Sequence, residues 1–468
     1  MNKHADSIKK VIALELPLLG IVMQVAVYAV LWFYSYYPLV RLRLKFYFKG
    51  HLLVLLIYLV LLLFFMATYG GMNAGYMKKM DVCLSQAFSL IAVNVISYFQ
   101  DSLLRNWTLP VPPMLLCTAG QIVIAVLWVN VCDRMYKKAF PPRHLLLIHG
   151  ERSIDAILGK FSSRPDKYKI DACLDITLGV EELEKRILEK GLGVVLWDLP
   201  VAARNELLKF CYARGIRVYM MPKIPDVLIK GSLQLHLFDT PLYMTREYAL
   251  TFAQRFWKRT TDVFCALILL ILTSPIFLVT AILIHAYDHG PVFYQQVRCT
   301  QGQKQFKIIK FRSMRVDAEK DGVARLAAEH DDRITPIGHF IRKVRIDELP
   351  QLINILRGDM SFIGPRPERP EIIAQYMEDM PEFALRMKVK AGLAGYAQVY
   401  GKYNTTPYDK LKLDLTYIQN YSIWLDLKLM LLTLKILLQP ESTEGVSAGQ
   451  VTALRGDAHS EEDDNERQ

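Results

Sequence analysis

The sequence lacks any Cys-x-x-Cys pair and any group of histidines and cysteines at metal-ligand spacing, and its 7 cysteines are an odd, scattered set. These absences argue against both a disulfide framework and a zinc site, and free thiols in a reducing compartment fit best. There is no internal repeat. The first apolar run has no small-residue cleavage site and is too long for the core of a secretory signal, so it is expected to be retained. The G-x-G-x-x-G fingerprint is also missing where a first short strand ends, at His149-Gly150-Glu151, which argues against bound NAD.

Apolar residues, by contrast, make up 52% of the 468 positions. Val11 to Tyr34, His51 to Tyr69 and Val111 to Val131 each approach the roughly 20 residues that cross a bilayer. Val82 to Phe99 is a weaker fourth run. The net charge of +11 sits largely beside apolar stretches, as in Arg41, Arg43, Lys45 and Lys49 or Arg255, Lys258 and Arg259. Anionic lipid headgroups, rather than nucleic acid, are the expected partner. After the fourth run, Arg134, Lys137, Lys138 and Arg143 place the following region in the cytoplasm by the positive-inside tendency. Four crossings put the N-terminus there too, although the Arg41 to Lys49 cluster would then lie outside.

From His144 the pattern changes to short apolar strands, His144–Ile148, Gly193–Trp197 and Ile216–Met221, alternating with helices near Ser153–Phe161 and Val180–Lys190. This predicts a parallel-sheet, Rossmann-like α/β domain over residues 139–245, regulatory or structural, behind a helical membrane bundle over 1–138. A fifth apolar run, from about Thr261 to His285, contains Ser274-Pro275 near its middle. Proline removes a backbone donor and clashes with the preceding turn, so the helix should bend or break. Either the run is a kinked span, or it returns the chain to the face it entered. The second reading keeps both soluble regions on one side. Phe256 and Trp257, next to Lys258 and Arg259, suit an interfacial anchor in either case. Residues 441–468 form a polar, acidic tail expected to be disordered.

Arg342-Lys343-Val344-Arg345-Ile346-Asp347-Glu348-Leu349-Pro350-Gln351 places two adjacent carboxylates after three cations. Phosphoryl chemistry needs cations or a divalent metal against the phosphate oxygens, and an oxygen nucleophile or base beside them. The plain alternative is a capped surface helix with solvated arginines. Downstream, Ser361-Phe362-Ile363-Gly364-Pro365-Arg366-Pro367-Glu368-Arg369-Pro370 offers Arg366 and Arg369 from a proline-stiffened loop, as phosphate recognition favours. Lys310-Phe311-Arg312-Ser313-Met314 lies upstream. In Lys390-Ala391-Gly392-Leu393-Ala394-Gly395-Tyr396-Ala397-Gln398-Val399, the glycines could let backbone amides approach a ligand.

In this order, with Lys412, Asp414 and Tyr417, these segments resemble the bacterial sugar transferase family, the polyprenyl-phosphate sugar-1-phosphate transferases that begin exopolysaccharide and capsule assembly. The resemblance runs from about Tyr248 to Leu438, and the whole chain is similar to the long form, in which several spans and an α/β domain precede the catalytic part. It implies a multi-domain protein of the bacterial inner membrane whose α-rich, monotopic catalytic domain, residues 246–440, faces the cytoplasm. A re-entrant helix over 261–285, broken at Ser274 and Pro275, would hold that domain. It further implies transfer of a sugar-1-phosphate from a UDP-sugar, glucose or galactose being common choices, to undecaprenyl phosphate, with release of UMP. Asp347 would be nucleophile and Glu348 its dyad partner, both near Mg2+, with Lys310, Arg312, Arg342, Arg366, Arg369 and Asp414 binding substrate. The partners would be UDP-sugar, undecaprenyl phosphate and the lipid bilayer, and a homo-oligomer is compatible.

A receptor or transporter with a ligand-sensing α/β domain is the alternative from another class. It requires ionisable residues within the spans, and Glu15 is the clear acidic candidate there. A polyprenyl-linked pyrophosphatase or glycosyltransferase is a second alternative, the latter separable by release of UDP instead of UMP.

Overall fold

The computed structural model describes residues 3–42, 47–245, 249–315, 333–401 and 405–437. Arg43, Lys45, Tyr248, Leu438 and the 441–468 tail lie outside them. The chain divides into two units, Met1–Pro222 and Lys223–Gln468.

The first unit begins with a helical bundle: α1 (Lys3–Leu31), continued through a π-helical turn into α2 (Tyr37–Val40), then α3 (Phe48–Tyr69), α4 (Lys79–Arg105) and α5 (Val111–Ala139). Four stretches of it, Glu15–Val40, Phe48–Tyr69, Lys79–Arg105 and Val111–Ala139, are long and apolar enough to cross a membrane. A polar network lies among the apolar residues they bury. Tyr28 donates to Asp101 Oδ2 (2.9 Å), Tyr58 to Asn94 Oδ1 (2.9 Å), and Asn94 to Gln121 Oε1 (2.7 Å). Tyr28 and Tyr58 stack with centroids 3.8 Å apart. Asp101 is fully buried, and the sequence reading overlooked it because the weak fourth run was ended at Phe99. Buried polar groups in such a bundle persist where they satisfy one another, as most of these do.

The α/β part follows with β1 (Arg143–His149), α6 (Asp155–Ser162), β2 (Tyr168–Asp175), α7 (Val180–Lys190), β3 (Gly193–Trp197), α8 (Val201–Ala213) and β4 (Val218–Met220). The strands form a parallel sheet in the order β2-β1-β3-β4. Alternation along β1 and β3 sends Leu146, Ile148, Val194 and Leu196 to one face against α7 and α8, and Leu145, Leu147, Val195 and Trp197 to the other against α6. The expected parallel sheet is present, with β2 and α8 added. At the crevice between β1 and β3, a Cβ on Gly150 would lie 2.5 Å from the Asp198 carbonyl. Two loops therefore abut where a dinucleotide would need space.

The second unit starts at Lys223, earlier than the expected boundary near 245. Helix α9 (Ile224–Lys230) buries Ile224 and Val227 in the C-terminal core, and the exposed hairpin β5 (Leu233–Leu237) and β6 (Thr240–Met244) leads from it. Then come α10 (Phe252–Asp288), the hairpin β7 (Phe293–Cys299) and β8 (Gln305–Phe311), α11 (Pro336–Lys343), α12 (Gln351–Arg357), β9 (Ser361–Ile363), α13 (Pro370–Asp379), β10 (Gly392–Ala394), α14 (Tyr396–Tyr400), α15 (Pro407–Gln419) and α16 (Ile423–Ile436). This unit is predominantly helical.

Helix α10 is the fifth helix apolar and long enough to span. Thr251 caps it, accepting from the Gln254 amide while Gln254 accepts from the Thr251 amide. The helix is continuous through Pro275, so the expected break does not interrupt the helical run. The Ile271 carbonyl, deprived of a partner by Pro275, accepts instead from the Ser274 hydroxyl (2.8 Å). Both ends of α10 are fixed to the same unit. Arg259 donates to the Ile355 and Leu356 carbonyls (2.5 and 2.7 Å), and Asp262 accepts from Ser361 Oγ and the Phe362 amide, both at 3.0 Å. Buried Lys258 donates to Asp426 (2.7 Å), Tyr417 Oη (3.1 Å) and the Ile363 carbonyl (2.9 Å). At the other end, Asp288 pairs with both terminal nitrogens of Arg312. Between these anchors, Ile271 and Leu272 are 71% and 68% exposed.

Candidate active site

Strand β8 delivers Lys310, and α11 delivers Arg342 on its last turn. The approach of α11 requires Gly338, because a Cβ there would lie 1.9 Å from the Ser313 carbonyl. The chain then reverses through Arg345 in the left-handed region, φ 58°, and a 3-10 turn at Ile346–Glu348 precedes α12. Adjacent residues in so tight a turn point apart, which gives the two carboxylates different surroundings.

Glu348 Oε1 is a collecting point for cations: Arg366 donates to it at 3.2 Å, with Lys310 Nζ at 3.5 Å and Arg345 at 3.6 Å. Asp347 is 9% exposed, and its Oδ1 is buried without a hydrogen-bond partner. Burial and then the Glu348 charge push the Asp347 carboxyl above the ordinary carboxylate range, against Lys310, Arg342 and Arg345. Burial acts on Glu348 in the same sense, but Lys310, Arg366 and Arg345 together outweigh it and hold Glu348 low. Lys310 is itself lowered by burial, with Glu348 opposing. The turn thus holds one firmly ionised carboxylate beside one that titrates late, an arrangement typical of sites that assign adjacent acids separate roles.

Asn354 joins the pieces. Its Oδ1 accepts from the Ile309 amide and its Nδ2 donates to the Lys307 carbonyl, both at 2.9 Å, so α12 and the strand carrying Lys310 move together. The Gly364–Glu368 loop is held as firmly. Gly364 donates to the Ala394 carbonyl and Gly392 to the Pro365 carbonyl, both at 2.9 Å. Arg386 donates to the Arg366 carbonyl (3.1 Å). A Cβ on Gly392 would sit 2.1 Å from the Gly364 amide, and one on Gly395 2.2 Å from its carbonyl. These glycines allow close backbone-to-backbone packing.

Of the residues proposed from sequence, the structure brings Asp347, Glu348, Lys310, Arg342 and Arg366 together. Arg312 is instead buried in its pair with Asp288 at the end of α10. Asp414 is buried against Arg386 (2.8 Å), which in turn donates to the Arg366 carbonyl. Arg369 is the half-buried residue preceding α13. Lys412 pairs with Asp409 (2.7 Å). Arg345, counted from sequence only as one of the three cations before the carboxylates, reaches Glu348; Arg386, Arg298 and Asn354 were not singled out, since none carries a motif of its own and each is recruited by the fold.

The C-terminal unit is therefore a membrane-helix-bearing domain with a carboxylate pair ringed by cations, a layout suited to phosphate chemistry. Residues 253–440 match the bacterial sugar transferase family. The chain is 37% identical over 270 residues to an Aeromonas hydrophila UDP-N-acetylgalactosamine-undecaprenyl-phosphate N-acetylgalactosaminephosphotransferase, covering 55% of this chain and 63% of that protein. It is 38% identical over 221 residues to the Escherichia coli UDP-glucose:undecaprenyl-phosphate glucose-1-phosphate transferase, covering 45% and 47%. Over 190 residues it is 39% identical to a Caulobacter vibrioides protein of that same description, covering 40% and 71%. The chain belongs to the bacterial sugar transferase family. It spans about half to three-fifths of the length of the first two of these relatives.

Proposed function

We propose that this protein transfers a sugar-1-phosphate from a UDP-sugar to undecaprenyl phosphate, opening exopolysaccharide or capsule synthesis at a bacterial inner membrane. The observation that carries the reading is the unpartnered, buried Oδ1 of Asp347 beside a Glu348 that gathers Lys310, Arg345 and Arg366. In the first step, an Asp347 oxygen attacks the sugar-bearing phosphorus, a new P–O bond forms, and the bond to UMP breaks with its electrons leaving on UMP. In the second, an oxygen of the lipid phosphate attacks the same phosphorus and the Asp347 carboxylate departs. Lys310, Arg342 and Arg366 offset the repulsion of anion for anion. Among the described residues no three His, Cys, Asp or Glu side chains converge on one point. The free Asp347 oxygen nevertheless suits Mg2+, which takes one or two carboxylates and completes its shell from phosphates and water. Asp347 and Glu348 would hold it, and it would supply charge neutralisation at the phosphate.

The relatives above are named for glucose and for N-acetylgalactosamine, so the reading is for UDP-sugars as a class. The deciding assay incubates the protein with undecaprenyl phosphate and a panel of UDP-sugars. UMP release with a pyrophosphate-linked lipid product is expected, whereas UDP release would mean glycosyl transfer and overturn the reading. Asp101 is the intramembrane carboxylate a transporter would need, yet the carboxylate dyad and the family match lie in the other unit.

The re-entrant reading of α10 has its own support. A straight helix of 37 residues would be about 55 Å long. Yet Arg259 is bonded to Ile355, next to Asn354, and Asn354 binds Ile309, three residues before the Arg312 that holds Asp288. A bend at Pro275 would bring the ends back to one domain and one membrane face. Cysteines placed at Arg255 and His289 should then react with an impermeant maleimide from the cytoplasmic side alone. Labelling from opposite sides would mean a simple span.

The dyad also fixes a pH response. Asp347 must be ionised to attack, so turnover is lost as pH falls through its raised pKa, and the acid limb should lie above the ordinary carboxylate value of about 4. Glu348→Gln removes a charge that raises Asp347, so the acid limb of the residual activity should move to lower pH. A kcat/KM profile of both proteins checks this, and an unmoved limb would contradict the assignment.

A further inference from the structure

Three buried oxygens inside the helical bundle find no donor. Asp101 on α4 accepts from Tyr28 at Oδ2 (2.9 Å), while its Oδ1 is buried with no partner. Ser97 stands one turn earlier on the same face of α4, and its Oγ is also buried and unpartnered. On α1, Gln24 stands one turn before Tyr28. Its Nε2 donates to the Gln121 carbonyl (3.2 Å), and its Oε1 is the third oxygen without a partner. Asp101, Ser97 and Gln24 are 0%, 1% and 3% exposed, so bulk water does not reach them.

The amide and phenol donors beside them are committed elsewhere. Tyr58 donates to Asn94 Oδ1 (2.9 Å), and Asn94 donates to Thr118 Oγ1 (2.8 Å) and Gln121 Oε1 (2.7 Å). Gln121 Nε2 donates to Tyr58 Oη and the Gln24 carbonyl, both at 2.9 Å. Nor do the helices bring a positive charge to Asp101. The titratable groups around it are Tyr28 and Tyr36 from α1 and the turn after it, Tyr58 from α3, Tyr98 on α4 and Cys117 from α5. None of these can be a cation. Arg105, one turn beyond Asp101, donates to the Thr108 carbonyl (2.8 Å), and His51, two turns from Tyr58, accepts from the Trp32 indole (3.1 Å). A carboxylate ionised in such an interior, with one oxygen bare, is costly unless something positive meets it.

We propose that Asp101 and Ser97 bind a single monovalent cation, a proton or a sodium ion, inside the bundle. Either gives Asp101 Oδ1 the partner that the protein itself does not supply. A protonated Oδ1 has Ser97 Oγ as an acceptor one turn away. A sodium ion, a hard cation, would draw on the carboxylate and hydroxyl oxygens, with the amide oxygen of Gln24 in the same interior. The inference stands apart from the transferase reading, since the site lies outside residues 253–440.

The test follows thermal unfolding of the full chain in detergent, in sodium chloride and in choline chloride of equal strength, across the neutral pH range. If the cation is sodium, the wild-type midpoint should rise by about 5 °C on saturation with sodium and not with choline. If it is a proton, sodium has no specific effect, and the wild type loses stability as pH rises and the proton is released. Asp101→Asn, which keeps the shape and carries its own donor, should remove whichever response the wild type shows. Ser97→Ala leaves the carboxylate in place and should shift that response about tenfold in sodium concentration, or about one pH unit. Sodium and pH responses of Asp101→Asn that match the wild type would overturn the proposal, as they would if only a water filled the place. Wild-type responses in Ser97→Ala would overturn it as well, and that variant decides alone should Asp101→Asn not fold.

Discussion

Asp347→Asn is expected to abolish both turnover and attachment of phosphosugar to the protein. Asparagine preserves the shape of the 3-10 turn, but it has no anionic oxygen to form the acyl phosphate. Loss of a covalent nucleophile costs turnover by a factor on the order of 10^4 or more. Glu348→Gln keeps the nucleophile while loosening Lys310, Arg345 and Arg366, which all lie against Glu348 Oε1. It should therefore fall severely yet still load at Asp347. Because the pair acts as one device, the double variant should be little worse than Asp347→Asn alone. Incubation with UDP-sugar and no lipid acceptor, followed by peptide mass analysis, reads the adduct directly. Appreciable turnover by Asp347→Asn, once deamidation back to Asp is excluded, would remove Asp347 from the nucleophile's role.

The second large effect is on stability. Lys258, Asp426 and Tyr417 form a buried knot: Lys258 bonds Asp426, Tyr417 and the Ile363 carbonyl, and Tyr417 also donates to Asp426 Oδ1 (2.8 Å). Lys258 and Asp426 side chains are 7% and 5% exposed. Lys258→Met leaves Asp426 buried with only Tyr417 to meet it, a change that costs about 3–5 kcal/mol in comparable buried pairs. Lys258→Met combined with Asp426→Leu removes both charges and should recover much of the loss. In urea titrations the single variant should unfold first and the double variant between it and wild type. A double variant less stable than Lys258→Met would show that the knot acts through its hydrogen bonds to Tyr417 and Ile363, not through charge.

What could be read from the sequence was what sits close together in it. Asp347 and Glu348 are neighbours behind a run of cations, and Arg366 follows on a loop whose prolines announce rigidity. Lys310 lies 38 residues from Glu348, and only the Asn354 bridge between β8 and α12 explains why they meet. Arg312 looked equivalent to Lys310, but its partner Asp288 is 24 residues upstream at the end of a membrane helix, and nothing in their spacing advertises the pair. The pairing of Asp414 with Arg386 was hidden for the same reason. Arg298 is a single cation in an unremarkable strand sequence, and only tertiary packing brings it to the Arg366 loop. In the α/β domain, β1 and β3 were legible because they are continuous apolar runs at the centre of the sheet. The edge strand β2, with exposed and half-buried residues alternating, offered a weaker pattern.

The two-ended grip on α10 has a mechanical meaning. A helix held at Arg259 and again at Asp288 is a tether of fixed length. The dyad, bonded to it through Ile355 and the α12 backbone, cannot rise or sink independently of the exposed apolar stretch around Ile271 and Leu272. If that stretch rests in lipid, the Asp347 carboxylate is set at one altitude over the bilayer. An acceptor whose phosphate is confined to the headgroup plane then has only to search in two dimensions.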